Sequence, residues 1–159
     1  KENGDKRFNG AYTGAVAMFR AYRAKGAPVA FAADPRTSHE CGDSRYLAIP
    51  YFDACLKLRL PDPGAADQKL KPVDPKAGWL AAPVLGKEEP KAVPFAAFAG
   101  KPDEAVWLPS EGVAKAWAEY VATGATTDTT PPPAPTNVRA AILAGLNVRV
   151  SWDATADFE

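Results

Sequence analysis

The chain has 159 residues, of which 47% are hydrophobic and 24% are charged. This composition is close to the globular average and excludes wholesale disorder, and the length is sufficient for one domain of ordinary size. The 19 basic residues balance the 19 acidic residues, so we expect no nucleic-acid partner. The apolar runs are far shorter than the roughly 20 residues that cross a bilayer, so we expect no membrane span.

The residues at both ends predict that this sequence is a piece of a longer protein. Residues 1–7 are charged or polar, and no apolar signal segment follows them. The only methionine, Met18, lies inside a helical pattern. At the other end the chain stops just after a strand-like run, so we expect a truncation there as well.

The first predicted element is a helix over residues 10–25, with Gly26 at the expected stop. Its apolar side chains recur at helical spacing on one face. They are Tyr12, Ala15, Val16, Phe19 and Tyr22. The segment Pro28 to Ala33 then predicts a short buried strand, because it is apolar and is ended by Asp34-Pro35.

A polar loop over residues 36–42 follows and contains His39, the only histidine. A second apolar helix is predicted from Ser44 to Leu60, in which Pro50 either lies near the true start or kinks the helix. The order of helix, strand, loop with a histidine and helix is typical of one late unit of an α/β fold.

Residues 61–108 carry many prolines and break into short pieces. Two of these, residues 78–81 and 93–98, are apolar enough for short strands or packed loop. A third helix should begin after Ser110, a good N-cap residue, and end at Gly124. Its predicted buried stripe consists of Val113, Trp117, Tyr120 and Val121.

The composition changes at residue 125, where threonines and prolines predict a stiff, extended linker over residues 125–135. Beyond it, residues 137–143 and 147–152 alternate apolar and polar side chains on either side of a turn at Ala144-Gly145. This pattern predicts a β-hairpin or a pair of sandwich strands, with Val148, Val150 and Trp152 on one face.

His39 is the strongest chemical signal in the sequence. Loops at the carboxyl ends of parallel strands carry many of the catalytic groups of α/β folds. An imidazole suits general-base chemistry because its ordinary pKa is near neutrality. From position alone, the alternative of a surface-loop histidine with no role stays open.

Residues 28–62 resemble the end of bacterial α/β-hydrolases of the dienelactone hydrolase and esterase type. In that family an acid loop, a helix, the last strand, the loop of the catalytic histidine and a final helix follow one another. Gly26-Ala27-Pro28-Val29 is similar to the entry to the last strand, and Ser38-His39 to the step that carries the histidine. The resemblance implies the C-terminal portion of an α/β-hydrolase sheet, with His39 as the triad base.

The same resemblance implies that the triad acid lies in the turn at the start of the chain. Glu2 matches its position best and Asp5 is the alternative, although the family more often uses aspartate. Such a carboxylate would fix the imidazole tautomer and stabilise the imidazolium. The nucleophile would come from upstream sequence, because no Gly-x-Ser-x-Gly elbow occurs in these 159 residues.

The polar residues after His39 allow two interpretations. Glu40, Asp43 and Arg45 could line the mouth of a pocket or orient the imidazole. The simpler interpretation is that Asp43 and Ser44 cap the second helix. One histidine and two distant cysteines match no metal-ligand spacing, and no glycine-rich phosphate loop is present, so we predict neither a metal nor a cofactor.

Residues 131–159 resemble the opening of a fibronectin type III module. They contain Pro-Pro-Ala-Pro-Thr-Asn-Val, an alternating strand, a turn and then Val-Arg-Val-Ser-Trp. By this resemblance Trp152 is the core tryptophan of the second strand of a β-sandwich. Such modules in bacteria usually accompany secreted or surface enzymes, so the resemblance implies a secreted or cell-envelope location.

These features predict a C-terminal part of a hydrolase domain over residues 1–124, a linker over 125–135 and the start of a truncated sandwich over 136–159. We expect the parent protein to be a serine hydrolase that acts on small-molecule or polymeric carboxylic esters, and the fragment alone to be inactive. The alternative is a non-catalytic, hydrolase-like module that binds a ligand or partner and is tethered by the sandwich. The sequence leaves the oligomeric state open.

Overall fold

The computed structural model describes residues 6–37, 42–62, 64, 68–86, 88–127 and 134–153. The chain divides into two compact units between Thr127 and Asp128. The described residues form α-helices and two small sheets, which places the chain in the mixed α/β class. Where these described strands pair, they pair in antiparallel fashion.

The first unit contains three described helices and one described sheet. Their bounds are α1 (Asn9–Arg23), α2 (Arg45–Arg59), β1 (Trp79–Ala81), β2 (Ala92–Pro94), β3 (Val106–Leu108) and α3 (Glu111–Thr123). Short 3₁₀ turns precede β1 and follow β2. The second unit contains β4 (Arg139–Ile142), a 3₁₀ turn and β5 (Val148–Ser151).

Helix α1 confirms the first predicted helix, but its buried face differs from the predicted stripe at one position. Tyr22 is 53% exposed, whereas the neighbouring Arg23 is only 3% exposed. The guanidinium of Arg23 donates hydrogen bonds to the backbone carbonyls of Ala27, Pro102 and Ala105. A buried arginine is tolerated here because its donors are satisfied by backbone carbonyls, two of which come from a distant loop.

The predicted strand over Pro28 to Ala33 is wrong, since these described residues have no strand structure. They are nevertheless packed against the core, and the ring centroids of Phe31 and Phe19 lie 5.6 Å apart. The carbonyl of Phe31 accepts a hydrogen bond from the indole nitrogen of Trp117 at 2.8 Å. In a strand this carbonyl would instead accept from the backbone of a neighbouring strand. The carbonyl of Val29 accepts a single backbone bond from Trp107.

The sheet of the first unit has the strand order β2-β1-β3, with β1 in the centre. Strand β1 confirms the apolar segment at residues 78–81, and β2 lies at the start of the segment at 93–98. Strand β3 was not predicted, although all three of its residues are buried. An apolar run this short carries no periodicity that would separate a strand from packed loop.

Helix α3 matches its sequence signals at both ends. The side chain of Ser110 accepts a hydrogen bond from the backbone amide of Val113 at 3.3 Å, which confirms the N-cap. At the other end Gly124 adopts the left-handed conformation with φ +74°. The predicted stripe is buried, and Trp117 is among the largest fully buried side chains of the described core.

Helix α2 runs through Pro50 without ending there, so the helix begins at Arg45 and not at the proline. Proline has no amide hydrogen and leaves the carbonyl four residues earlier without its helical donor. That carbonyl belongs to Tyr46, and the hydroxyl of Thr126 donates to it at 3.2 Å. Thr126 therefore compensates for the hydrogen bond that Pro50 cannot make.

The described strands of the second unit form the predicted β-hairpin, with Gly145 at φ +78° in its turn. Ile142 pairs with Val148 and Ala140 with Val150, so these residues share one face. That face is exposed to solvent, and Ile142 is 86% exposed. Among the described residues of the second unit, β4 and β5 are the only strands.

Candidate functional site

The two residues predicted for catalysis, His39 and Glu2, lie outside the described residues. The alternative acid, Asp5, also lies outside them, as does Glu40. Their assignment therefore stays a prediction. The structure does describe the chain on both sides of the His39 loop, at residues 34–37 and from Gly42 onward.

On the N-terminal side of that loop, the carboxylate of Asp34 organises a tight turn. Its Oδ1 accepts hydrogen bonds from the backbone amide of Arg36 at 2.7 Å and from that of Thr37 at 3.1 Å. This is an Asx turn, in which an aspartate side chain takes the place of a backbone carbonyl. The turn ends at Thr37, two positions before His39.

The carboxylate of Asp34 also contacts the C-terminal half of α3. The hydroxyl of Tyr120 donates to its Oδ2 at 3.1 Å, across 86 positions of sequence. The guanidinium of Arg36 donates to the carbonyl of Gly124 at 2.5 Å and forms an ion pair with Asp43. The turn before the loop is thus attached to the end of α3 and to the segment just before α2.

Gly42, on the C-terminal side of the loop, closely approaches the same turn. Its φ is +51°, and a Cβ atom at this position would lie 2.7 Å from Cγ2 of Thr37 and 2.9 Å from Oδ2 of Asp34. Only glycine fits this backbone without displacing its neighbours. The two ends of the loop are therefore held side by side, with Asp34 between them and α3.

This arrangement perturbs the acid-base behaviour of two side chains. Burial by itself raises the pKa of Asp34, but the amides of Arg36 and Thr37 and the hydroxyls of Thr37 and Tyr120 outweigh it, so the pKa lies below its ordinary value. Burial, and then the hydrogen bond to Asp34, raises the pKa of Tyr120. Tyr120 therefore acts as a neutral donor, and Asp34 as an ionised acceptor, over the whole neutral range.

The predicted capping of α2 by Asp43 and Ser44 is wrong. Ser44 has helical φ and ψ and makes no side-chain cap hydrogen bond, because the helical turn already begins before it. The carboxylate of Asp43 is directed to Arg36. Arg45 contacts Tyr46, with its guanidinium carbon 4.7 Å from the ring centroid.

Asp34, Arg36 and Tyr120 were not predicted as site residues. The dipeptide Asp34-Pro35 is a known turn signal, and the Asx turn could have been predicted from it. Nothing in the sequence pairs Tyr120 with Asp34, because tyrosine at that position only continues the buried stripe of α3.

No family model matches the chain, and neither a curated protein nor a solved structure shows significant similarity to it. Within the described ranges, no group of three or more His, Cys, Asp and Glu residues could hold a metal ion. The helices among those residues are too short or too polar to cross a membrane.

Proposed function

We propose that residues 1–124 form the C-terminal part of an α/β-hydrolase that cleaves carboxylic esters, with His39 as the general base. One observation supports the proposal most. The core-packed segment at residues 29–32 leads into a turn fixed by Asp34, then to the His39 loop and then to α2. Catalytic groups are commonly carried on loops held by a rigid scaffold in this way.

The proposed mechanism is acyl transfer through a serine outside these 159 residues. His39 takes the proton from the serine hydroxyl as it attacks the ester carbonyl, and later returns it to the leaving alcohol. Glu2, or alternatively Asp5, accepts a hydrogen bond from the other ring nitrogen and holds the tautomer. Substrates are small-molecule or polymeric carboxylic esters.

We further propose that the hairpin of β4 and β5 opens a fibronectin type III-like sandwich and that the protein acts outside the cytoplasm. The exposed apolar face around Ile142 and Val148 supports a second sheet, because sandwich strands are apolar on their inner face. Antibody detection of the protein in the culture supernatant or envelope fraction tests the location. Detection in the cytoplasm alone would contradict it.

The enzymatic proposal is tested on the complete gene product with a chromogenic acetate ester. His39→Ala should lower kcat by several orders of magnitude and leave KM nearly unchanged, because the base acts mainly in the transition state. Arg20→Ala, on the exposed side of α1, serves as the control and should behave as wild type. Glu2→Gln and Asp5→Asn, compared side by side, identify the acid by the larger loss.

A fluorophosphonate probe provides an independent readout, because it labels an activated serine. Labelling should occur at a serine upstream of Lys1 and should disappear in His39→Ala. A complete protein that is neither labelled nor active on esters would refute the proposal. The non-catalytic binding module would then be the remaining interpretation.

A further inference from the structure

The carboxylate of Asp34 is the point at which three separate segments meet. It accepts hydrogen bonds from the turn at Arg36 and Thr37 and from Tyr120 of α3, and Gly42 packs against it. We propose that Asp34, held by Tyr120, is a positioning residue for His39, because it holds together the two described ends of the intervening loop, at Thr37 and Gly42. This inference rests on the proposed role of His39 as the base.

The contact with Tyr120 distinguishes Asp34 from an ordinary turn former. Asp74 makes the same short-range contact, with its Oδ1 2.9 Å from the amide of Lys76, at the start of the 3₁₀ turn that precedes β1. The carboxylate of Asp34, in contrast, also accepts a hydrogen bond from the hydroxyl of Tyr120 in α3, 86 positions later in the sequence. The turn is thereby fixed relative to the core and not only within itself.

The second attachment runs through Arg36. Its guanidinium joins the carbonyl of Gly124, at the end of α3, to the carboxylate of Asp43, just before α2. Asp34 and Arg36 therefore hold both ends of the loop to the same end of α3.

The position of the loop ends matters for the chemistry because a general base must lie within hydrogen-bonding reach of its proton. A displacement of about 1 Å by a change away from the reacting atoms can lower the rate by about 100-fold. Asp34 need not contact substrate to have such an effect. It acts by keeping the ends of the His39 loop in place.

The first experiment uses NMR on the tag-free chain of 159 residues. His39 is the only histidine, so its C2–H resonance is identified without assignment. It should lie away from its position in the urea-unfolded chain. Asp34→Ala should move it toward that position, while Asp34→Asn, which keeps an acceptor for the two turn amides, should restore much of the difference.

Asp74→Ala is the matched control, since it removes the same kind of turn contact elsewhere, and it should leave the resonance in place. A His39 resonance that already coincides with the unfolded position in wild type would overturn the proposal. So would a resonance that is identical in wild type and Asp34→Ala.

Tyr120→Phe keeps the proposal testable if Asp34→Ala fails to fold. This variant removes one hydroxyl from a buried ring and should preserve the helical circular dichroism of the chain. We expect it to move the His39 resonance in the same direction as Asp34→Ala, but less. A folded Tyr120→Phe chain with an unchanged resonance would contradict the role of α3 in holding Asp34.

The kinetic experiment uses the complete gene product and separates this inference from the proposed function. Asp34→Ala should lower kcat by about 100-fold with little change in KM, and Asp34→Asn should recover most of the loss. If the complete protein cleaves no ester but the resonance responds to Asp34, the hydrolase proposal fails and the positioning stands. If esters are cleaved and Asp34→Ala changes neither kcat nor the resonance, the positioning fails alone.

Discussion

The Nε atom of Arg23 lies 2.6 Å from the carbonyl oxygen of Ala105, which is 82 positions later in the sequence. The same guanidinium reaches the carbonyls of Ala27 and Pro102. Burial lowers the pKa of Arg23, but an arginine keeps its proton, so the buried charge depends on these three acceptors. Helix α1 is thus attached to the loop that precedes β3.

Replacing Arg23 with methionine should lower the free energy of unfolding by on the order of 3 kcal/mol, because buried carbonyls lose their donors. Urea denaturation followed by tryptophan fluorescence measures this change. Arg20→Met, on the exposed side of α1, is the matched control and should stay within about 0.5 kcal/mol of wild type. Equal effects of the two substitutions would show that the carbonyl contacts contribute nothing specific.

The contact between Thr126 and Tyr46 predicts a coupling with Pro50. Thr126→Val should cost about 1 kcal/mol, since the Tyr46 carbonyl then has neither a helical nor a side-chain donor. In a Pro50→Ala background the alanine amide supplies the missing donor, so Thr126→Val should cost clearly less. A double-mutant cycle by thermal or urea denaturation measures this difference.

Thr126→Ser keeps the hydroxyl and serves as the control in the same cycle. It should be close to wild type in both backgrounds. If Thr126→Val costs the same with and without Pro50, the hydroxyl does not replace the helical bond.

Two glycines with nearly the same backbone conformation give a matched pair. Gly124 has φ +74° and a Cβ there would collide with Nε of Arg36, whereas Gly26 has φ +76° and open space around it. Each substitution with alanine should cost about 1 kcal/mol for the left-handed backbone. Gly124→Ala should lower the stability more than Gly26→Ala does, because it also displaces Arg36 from its hydrogen bonds. The difference in melting temperature between the two variants measures the contribution of those Arg36 contacts.

The lowered pKa of Asp34 predicts a pH-dependent stability. A carboxyl whose pKa is lower in the folded state stabilises the fold above its unfolded pKa, near 4, and this contribution is lost as the pH falls through the folded pKa. The melting temperature of Asp34→Asn should therefore lie below that of wild type at pH 7, and the two should converge below pH 4. A gap that persists unchanged in acid would show that the charge of Asp34 contributes nothing.

The apolar face of the hairpin predicts aggregation of the isolated chain, because exposed apolar sheet surface favours association. Replacing the facing pair Ile142 and Val148 with threonine keeps β-branched side chains and should raise the soluble concentration. Ala141→Thr, on the opposite face of β4, is the control and should have little effect. Sedimentation and light scattering measure the outcome, and unchanged aggregation would contradict the prediction.

The sequence was sufficient where an element carries its own local signals. Helix α3 has a serine N-cap, an apolar stripe at helical spacing and a glycine that takes the left-handed conformation, and each signal acts within a few residues. The hairpin is similar, since alternation sets its faces and Gly145 allows its turn. The location of His39 between an apolar segment and a helix was also read from sequence, although its role stays a prediction.

Only the tertiary structure decided the features that depend on partners far apart in the chain. The segment from Pro28 to Ala33 is apolar enough for a strand, but the carbonyl of Phe31 accepts a hydrogen bond from the indole of Trp117 and not from a neighbouring strand. Arg23 is buried, where periodicity favoured Tyr22, because acceptors arrive from a distant loop. Asp34 could be recognised locally as a turn residue. Its attachment to Tyr120 could not, because a hydrogen bond across 86 positions is set by the packing of α3 and leaves no pattern in the sequence around either residue.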